Sequence, residues 1–395
     1  MVTAMERDFD KVIDRHNTDC AKYDFAAEYG KPEGLLPLWV ADMDFQAPKA
    51  VTEKLEEISR FGIFGYSDTK DGYFNAVHDW YLERFGWEVK PEWLVKTPGV
   101  VFAVATAVRA LTKTGDGVMI QQPVYYPFGN VIRDNERKVV NCPLVLKDGK
   151  YEMDFADMEE KLASGEVKLF ILCSPHNPVG RVWTEDELRR VGELCLKYKV
   201  PVVSDEIHCD FTYPGYKHHI FASLDERFAD NCVICTAPSK TFNLAGLQAS
   251  NLCIPNQEIR RKIRGAVKRT GYGGLNQMGI AACQAAYEGG SQWLSELKDY
   301  LKGNLDFLRE FTAEKLPGIK LIEPQGTYLV WMDLRELGMS PEQQDEFVVN
   351  TAGLWLDTGT MFGEEGSGFE RINIACPRAT LTEALERLEK ALKTL

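Results

Sequence analysis

A chain of 395 residues that is 45% hydrophobic holds more apolar material than one compact core accommodates, and it suits two domains in one subunit. A formal charge of −13 leaves no basic face for phosphate neutralisation, which excludes nucleic acid as the expected partner. The first twenty residues carry no apolar signal core and no uninterrupted apolar run reaches membrane-spanning length, so a cytoplasmic protein without membrane contact is expected.

Residues 1–34 are polar and charged and read as an arm lying on something else. The first apolar stretch, LLPLWVADMDF (35–45), ends just before Pro48, after which a helix is expected over 48–60. FGIFGYSD (61–68) comes next, either a turn packed by its own aromatics or a loop presenting Tyr66 to a ligand or a neighbouring subunit. TPGVVFAVATAVRAL (97–111) is apolar almost all round, as in a buried helix. Behind its glycine, the unpaired N–H groups of Gly99, Val100 and Val101 suit an anion such as phosphate.

Short apolar runs then alternate with helical patterns: 118–121, 138–146, 169–173, 200–204, 233–235 and 252–254. Between them lie helices such as 184–197, which the capping box Thr184-x-x-Glu187 opens. Alternating strands and helices predict a mainly parallel sheet covered on both faces, the core of a large α/β domain. From about residue 285 the pattern changes to a long helix over 292–316, strands at 326–333 and 371–375, and a last helix opened by a second capping box, Thr380-x-x-Glu383. The expected division is an arm and part of the smaller domain over 1–47, a large α/β domain over 48–285, and a smaller α+β domain over 286–395. The ten cysteines fall mostly in apolar runs and are expected to be reduced. Cys232 and Cys235 spell CxxC, but residues three apart on a strand face opposite ways, so neither a disulfide nor a metal is expected there.

Ligands of an open parallel sheet bind beyond the carboxyl ends of its strands. Three polar signals fall there: Asn177 in SPHNPVG after 169–173, Asp205 after 200–204, and Ser239-Lys240 after 233–235. Singly these read as a turn residue, a cap and a surface lysine. Together with the anion-ready helix at Gly99, they describe a pocket for pyridoxal 5′-phosphate. Lys240 is the candidate for the Schiff-base anchor and proton-transfer base, which requires a lowered pKa. Asp205 is the candidate to hold the pyridine nitrogen protonated. Asn177 is assigned to the ring's phenolic oxygen, Tyr125 of PVYYP to the ring face with Tyr126 as its alternative, and Ser239 to the phosphate.

The motifs SPHNPVG, SDEIH, APSKTFNLAG and FERINIACPR resemble fold-type I pyridoxal-phosphate enzymes, the aspartate aminotransferase superfamily, from about residue 35 to the C-terminus. PLWVADMDF, SDEIHCDF and SKTFNLAGLQ resemble one branch, the cystathionine β-lyase or C–S lyase group related to class II aminotransferases. The resemblance implies a large sheet of the seven-stranded type and a homodimer with shared active sites. It implies that Tyr66 reaches the partner's phosphate, that Arg371 clamps the substrate α-carboxylate with Arg378 as a rival, and that Ala41 lies beside the substrate. Two positions depart from the aminotransferase pattern. His208 stands where a tyrosine is usual and is taken as a neighbour of the ring, and Gln248 stands where an arginine usually meets the phosphate.

All such enzymes remove the Cα proton of a bound amino acid, and the core motifs do not choose between transamination and elimination after that. Branch resemblance selects β-elimination from L-cystathionine or related cysteine S-conjugates, giving homocysteine or another thiol, pyruvate and ammonia, in amino-acid metabolism and methionine biosynthesis. An aminotransferase with side β-elimination activity is the alternative, and a pyridoxal-phosphate-binding regulatory protein is the alternative from another class.

Overall fold

The structure, a computed structural model, describes residues 7–395, so the first six residues of the N-terminal arm lie outside the described residues. Its centre is a seven-stranded sheet. In spatial order the strands are Leu94–Thr97, Ser250–Cys253, Cys232–Thr236, Val202–Asp205, Val167–Cys173, Gly117–Ile120 and Lys138–Asn141. All neighbouring pairs are parallel except those of Ser250–Cys253, which runs antiparallel to both neighbours. Because that strand is reversed, its first residue joins the carboxyl ends of the others: Ser250 lies opposite Thr97, and Asn251 opposite Thr236. One edge therefore gathers the starts of six loops.

The strands read as continuous apolar runs because both faces are covered. On one face the helix Val100–Leu111 buries Ala103, Val104, Ala107 and Val108. Cys235 belongs to that layer, whereas Cys232 belongs to the opposite one, so the CxxC pair straddles the sheet as its spacing requires. All ten cysteines are free.

A four-stranded sheet lies beyond it in the chain, in the order Lys320–Ile322, Leu329–Asp333, Phe369–Asn373 and Asp357–Thr358, backed by the helices Ser291–Lys315 and Arg378–Leu392. The last helix buries Leu381, Leu385 and Leu388. It does not start at the second capping box: the Arg378 N–H donates to the Tyr300 hydroxyl at 2.7 Å, and the helix begins directly after Pro377, leaving Thr380 in its first turn. The single strand expected over 138–146 is also two, Lys138–Asn141 in the main sheet and Leu144–Lys147 in a hairpin with Lys150–Met153. Pro143 separates them, since its ring removes a ladder donor.

The arm lies on its own chain. Phe9 is buried against Phe45, Trp293 and Tyr300. Lys22 is fully buried, with Nζ 2.8 Å from Asp44 Oδ2, and Arg15 bridges Asp42 and Asp44 at 2.8 Å each. These two cations neutralise the acidic pair in ADMD and fix the stretch 36–45 against the strand Phe369–Asn373, where Asn373 Nδ2 donates to the carbonyls of Val40 and Asp42.

Candidate active site

At the carboxyl edge of the main sheet a cleft of about 180 Å³ is lined by Ala41, Gly99, Val100, Val101, Tyr125, Asn177, Asp205, His208, Ser239 and Lys240, with Gln248 beside them. Every residue expected at the cofactor from the sequence is here except Tyr66. Arg371 meets this group through Asn177.

Lys240 comes after the strand Cys232–Thr236, in the short turn Pro238–Thr241. Its Nζ donates to the Ala41 carbonyl at 2.6 Å. Burial, helped by the nearby Arg371 cation and opposed by Asp42 and Asp205, brings its ammonium pKa down from 10.5 to about 8. A lysine so placed holds a useful fraction of neutral amine near physiological pH, which a nucleophile or proton acceptor requires.

Asp205 ends its strand level with Cys173 and Cys235 on either side. It is buried, and its carboxylate accepts a hydrogen bond from the Ile207 N–H at 3.1 Å but has no cation in salt-bridge contact among the described residues. Burial pushes its pKa up to about 7, with Glu206 adding to the rise and Lys240 opposing it. A buried carboxylate left this way is costly without a cationic partner, and a protonated ring nitrogen supplies one.

Tyr125 lines the cleft and packs edge-on with Phe128, whereas Tyr126 packs against Phe362 and is not among the lining residues, so of the two only Tyr125 faces the cleft. His208 is buried beside Tyr328, and burial together with Lys240 and Arg371 pulls its pKa down to about 3. It is a neutral neighbour of the pocket. Gly99 precedes the helix Val100–Leu111, which has no side-chain cap, so the first N–H groups remain open to an anion. A side chain built at Gly99 would meet nothing within 4 Å, so the glycine borders open space.

Arg371 is buried on the strand Phe369–Asn373. It donates to Asn177 Oδ1 at 3.0 Å and to the Trp39 carbonyl at 2.8 Å, and it forms an ion pair with Asp357, its cross-strand partner. Arg378 points elsewhere: its Nε donates to Asn304 Oδ1 and its guanidinium covers Phe307. Of the two rival clamps only Arg371 reaches the cleft residues. Sequence reasoning missed Asp357, which carries no local signal and meets Arg371 only through strand pairing. It also missed Cys173, Ile207 and Tyr328, whose hydroxyl donates to the same Ala41 carbonyl at 3.1 Å.

A buried lysine with a lowered pKa, a buried carboxyl lacking a cation and an open helix start together fit pyridoxal phosphate. The sequence matches the aminotransferase class I and II family over residues 34–388. The chain belongs to that family. Cystathionine β-lyase PatB of Bacillus subtilis is 45% identical over 97% of this chain and 99% of its own, and the protein MalY of Escherichia coli is 34% identical over 98% and 99%. Among solved structures, pyridoxal-phosphate-containing cystalysin from Treponema denticola superposes with a TM-score of 0.94 at 40% identity, covering 99% of this chain and all of that one. As a family member the chain has the aspartate-aminotransferase-like, fold-type I architecture and is a pyridoxal-phosphate enzyme.

Tyr66 stands apart. It is fully exposed, in an irregular loop with Phe61, Ile63 and Phe64 also exposed, and it touches no part of the cleft.

Proposed function

We propose that this pyridoxal-phosphate-dependent C–S lyase cleaves the Cβ–S bond of L-cystathionine or a related cysteine S-conjugate, releasing homocysteine or another thiol with pyruvate and ammonia. The observation that carries the reading is the pairing of Lys240, held near pKa 8, with the cation-lacking carboxyl of Asp205 in one cleft. The branch choice rests on the lyase relatives at high coverage.

Bound pyridoxal phosphate supplies an electron sink that stabilises negative charge at the substrate Cα. Lys240 would hold the cofactor through its amine and would take the substrate's Cα proton. Asp205 would pair with the protonated ring nitrogen. Asn177 would donate from Nδ2 to the ring oxygen, while its Oδ1 accepts from Arg371. Tyr125 would cover the ring face, and Ser239 with the N–H groups at Gly99, Val100 and Val101 would hold the phosphate. Arg371 receives the substrate α-carboxylate near the backbone of Ala41. The Cβ–S bond then breaks with both electrons leaving on sulfur, which takes a proton to become the thiol. Water completes the conversion of the remaining three-carbon fragment to pyruvate and ammonia.

Residues 48–285 serve as the cofactor domain, and 1–47 with 286–395 as the smaller one. A homodimer fits the exposed apolar loop 61–66, which would carry Tyr66 to the partner's phosphate; large exposed apolar patches commonly mark such interfaces. Among the described residues no helix is long and apolar enough to cross a membrane. A cytoplasmic enzyme of methionine metabolism is the reading proposed from the likeness to cystathionine β-lyase PatB.

The test is steady release of pyruvate and homocysteine from L-cystathionine by purified holoenzyme without added ketoacid. Conversion of the cofactor to its amine form, with a ketoacid needed for turnover, would move the assignment to an aminotransferase.

A further inference from the structure

Outside the cofactor cleft, and sharing no lining residue with it, a crevice runs between the segment 209–218 and the helix Ser291–Lys315. It has two chambers of about 280 and 320 Å³, which share Thr212, Tyr216 and Lys298 as common walls.

One chamber is cationic at depth. Arg84 stacks over Trp80 at 4.4 Å and donates from Nε to Asp210 Oδ1 at 2.8 Å. Asp210 is fully engaged, since it also accepts from the Thr241 hydroxyl at 2.8 Å and the Trp80 indole at 3.4 Å. Lys298 is half-buried next to this group and has no carboxylate in salt-bridge contact among the described residues; its burial and the Arg84 cation both weaken its hold on its proton, and Asp210, Cys209 and Asp299 oppose that. The other carboxylates lining the crevice, Glu83 and Asp299, are exposed at its rim, as is Lys217. The other chamber has an aromatic and apolar side of Phe211, Tyr213, Pro214, Tyr216 and Leu301, with Thr212, Lys298, Asp299, Lys302 and Thr327 as its polar lining. The Tyr213 hydroxyl is buried with no hydrogen-bond partner, whereas buried polar groups in folded proteins are nearly always satisfied.

A half-buried ammonium with no carboxylate in salt-bridge contact stands at the wall shared with the aromatic chamber, and a single ligand class satisfies the charge while filling the apolar end. We propose that this crevice binds a small carboxylate with an aromatic body, its charge on Lys298 and Arg84 and its ring among Tyr213, Tyr216 and Leu301. The inference does not depend on which thioether the enzyme cleaves.

The experiment is calorimetric titration of the holoenzyme with benzoate, with neutral benzyl alcohol as the control ligand, on the wild type and on Lys298→Gln and Tyr216→Ala. Neither variant touches the cofactor cleft, so the cofactor's visible absorbance stays unchanged in both and reports an intact fold. Millimolar benzoate binding that falls about tenfold in Lys298→Gln, with no comparable affinity for benzyl alcohol, is the expected result. Tyr216→Ala is expected to weaken binding as well. No binding to the wild type, the same affinity in Lys298→Gln, or competition of benzoate with L-cystathionine, which would place it at Arg371, overturns the proposal.

Discussion

Lys240 and Ala41 lie 199 residues apart in sequence, yet the lysine's amine donates to the Ala41 carbonyl at 2.6 Å. The stretch 36–45 thus supplies a wall of the cleft and holds the amine in place. It also brings in Asp42, whose charge partly offsets the effect of burial on the lysine.

That balance gives a pH prediction. With Lys240 as the proposed amine that captures the cofactor, the rate of reconstituting apoenzyme should rise about tenfold per pH unit below about 8 and level off above it. In Arg371→Gln the inflection moves upward, because a cation that disfavours the ammonium is gone. Stopped-flow reconstitution across pH 6–10 reads both. A rate that climbs without a break to pH 10 would show an ordinary lysine.

Asp205 yields a stability prediction of defined sign. Its carboxyl is raised from 3.8 to about 7 by burial, so between these values the folded apoprotein keeps a proton that the unfolded chain has lost. Its contribution to apoprotein stability therefore falls as pH rises through that window and is constant above it. Apo Asp205→Asn escapes the loss, and its Tm relative to wild-type apoprotein should improve from pH 5 to pH 8. Added cofactor should then raise the wild-type Tm more than the variant's at pH 8. Thermal melts of four samples at two pH values test it, and a pH-independent difference would count against it.

Arg371 and Asp357 form a buried ion pair on neighbouring strands. Arg371→Ala strands the carboxylate and should cost about 3–5 kcal/mol of stability, most of it recovered by adding Asp357→Asn. Asp357→Asn alone should lower the KM for L-cystathionine severalfold, since the substrate carboxylate no longer shares the guanidinium. Denaturation curves and steady-state kinetics on the three variants suffice. An unchanged KM in Asp357→Asn would remove Arg371 from carboxylate binding.

Gln248 lines the cleft where related aminotransferases usually place an arginine. With the phosphate at the proposed site by Gly99 and Ser239, less charge would face it, and cofactor should leave readily on dialysis. Gln248→Arg should retain it about tenfold more tightly, the scale of one charge-assisted hydrogen bond. Equal cofactor occupancy of both proteins after exhaustive dialysis would refute the idea.

Much of the site is legible in the sequence because a parallel sheet announces itself. Apolar runs mark the strands, and the polar residue that ends each run falls at the binding edge, as Asn177, Asp205 and Lys240 do. What stays hidden depends on contacts distant in sequence. Asp357 looks like any loop acid until strand pairing sets it against Arg371. The start of the last helix depends on the hydroxyl of Tyr300, 78 residues upstream, which no capping rule reads. The split of 138–146 is marked by Pro143 alone, a single residue set against the apolar run on both sides of it.

Three backbone N–H groups of the segment 36–45 donate to residues made near the end of synthesis: Leu36 to Gly353, Leu38 to Trp355 and Asp44 to Ala375. The ribosome delivers this apolar stretch first and its partners last. A chain cut short before Gly353 therefore displays LLPLWV without the strand Leu354–Trp355 that pairs with it. Pairing of that sequence therefore waits until residues 353–355 have been made, and a shorter chain carries it as exposed apolar surface of the aggregation-prone kind.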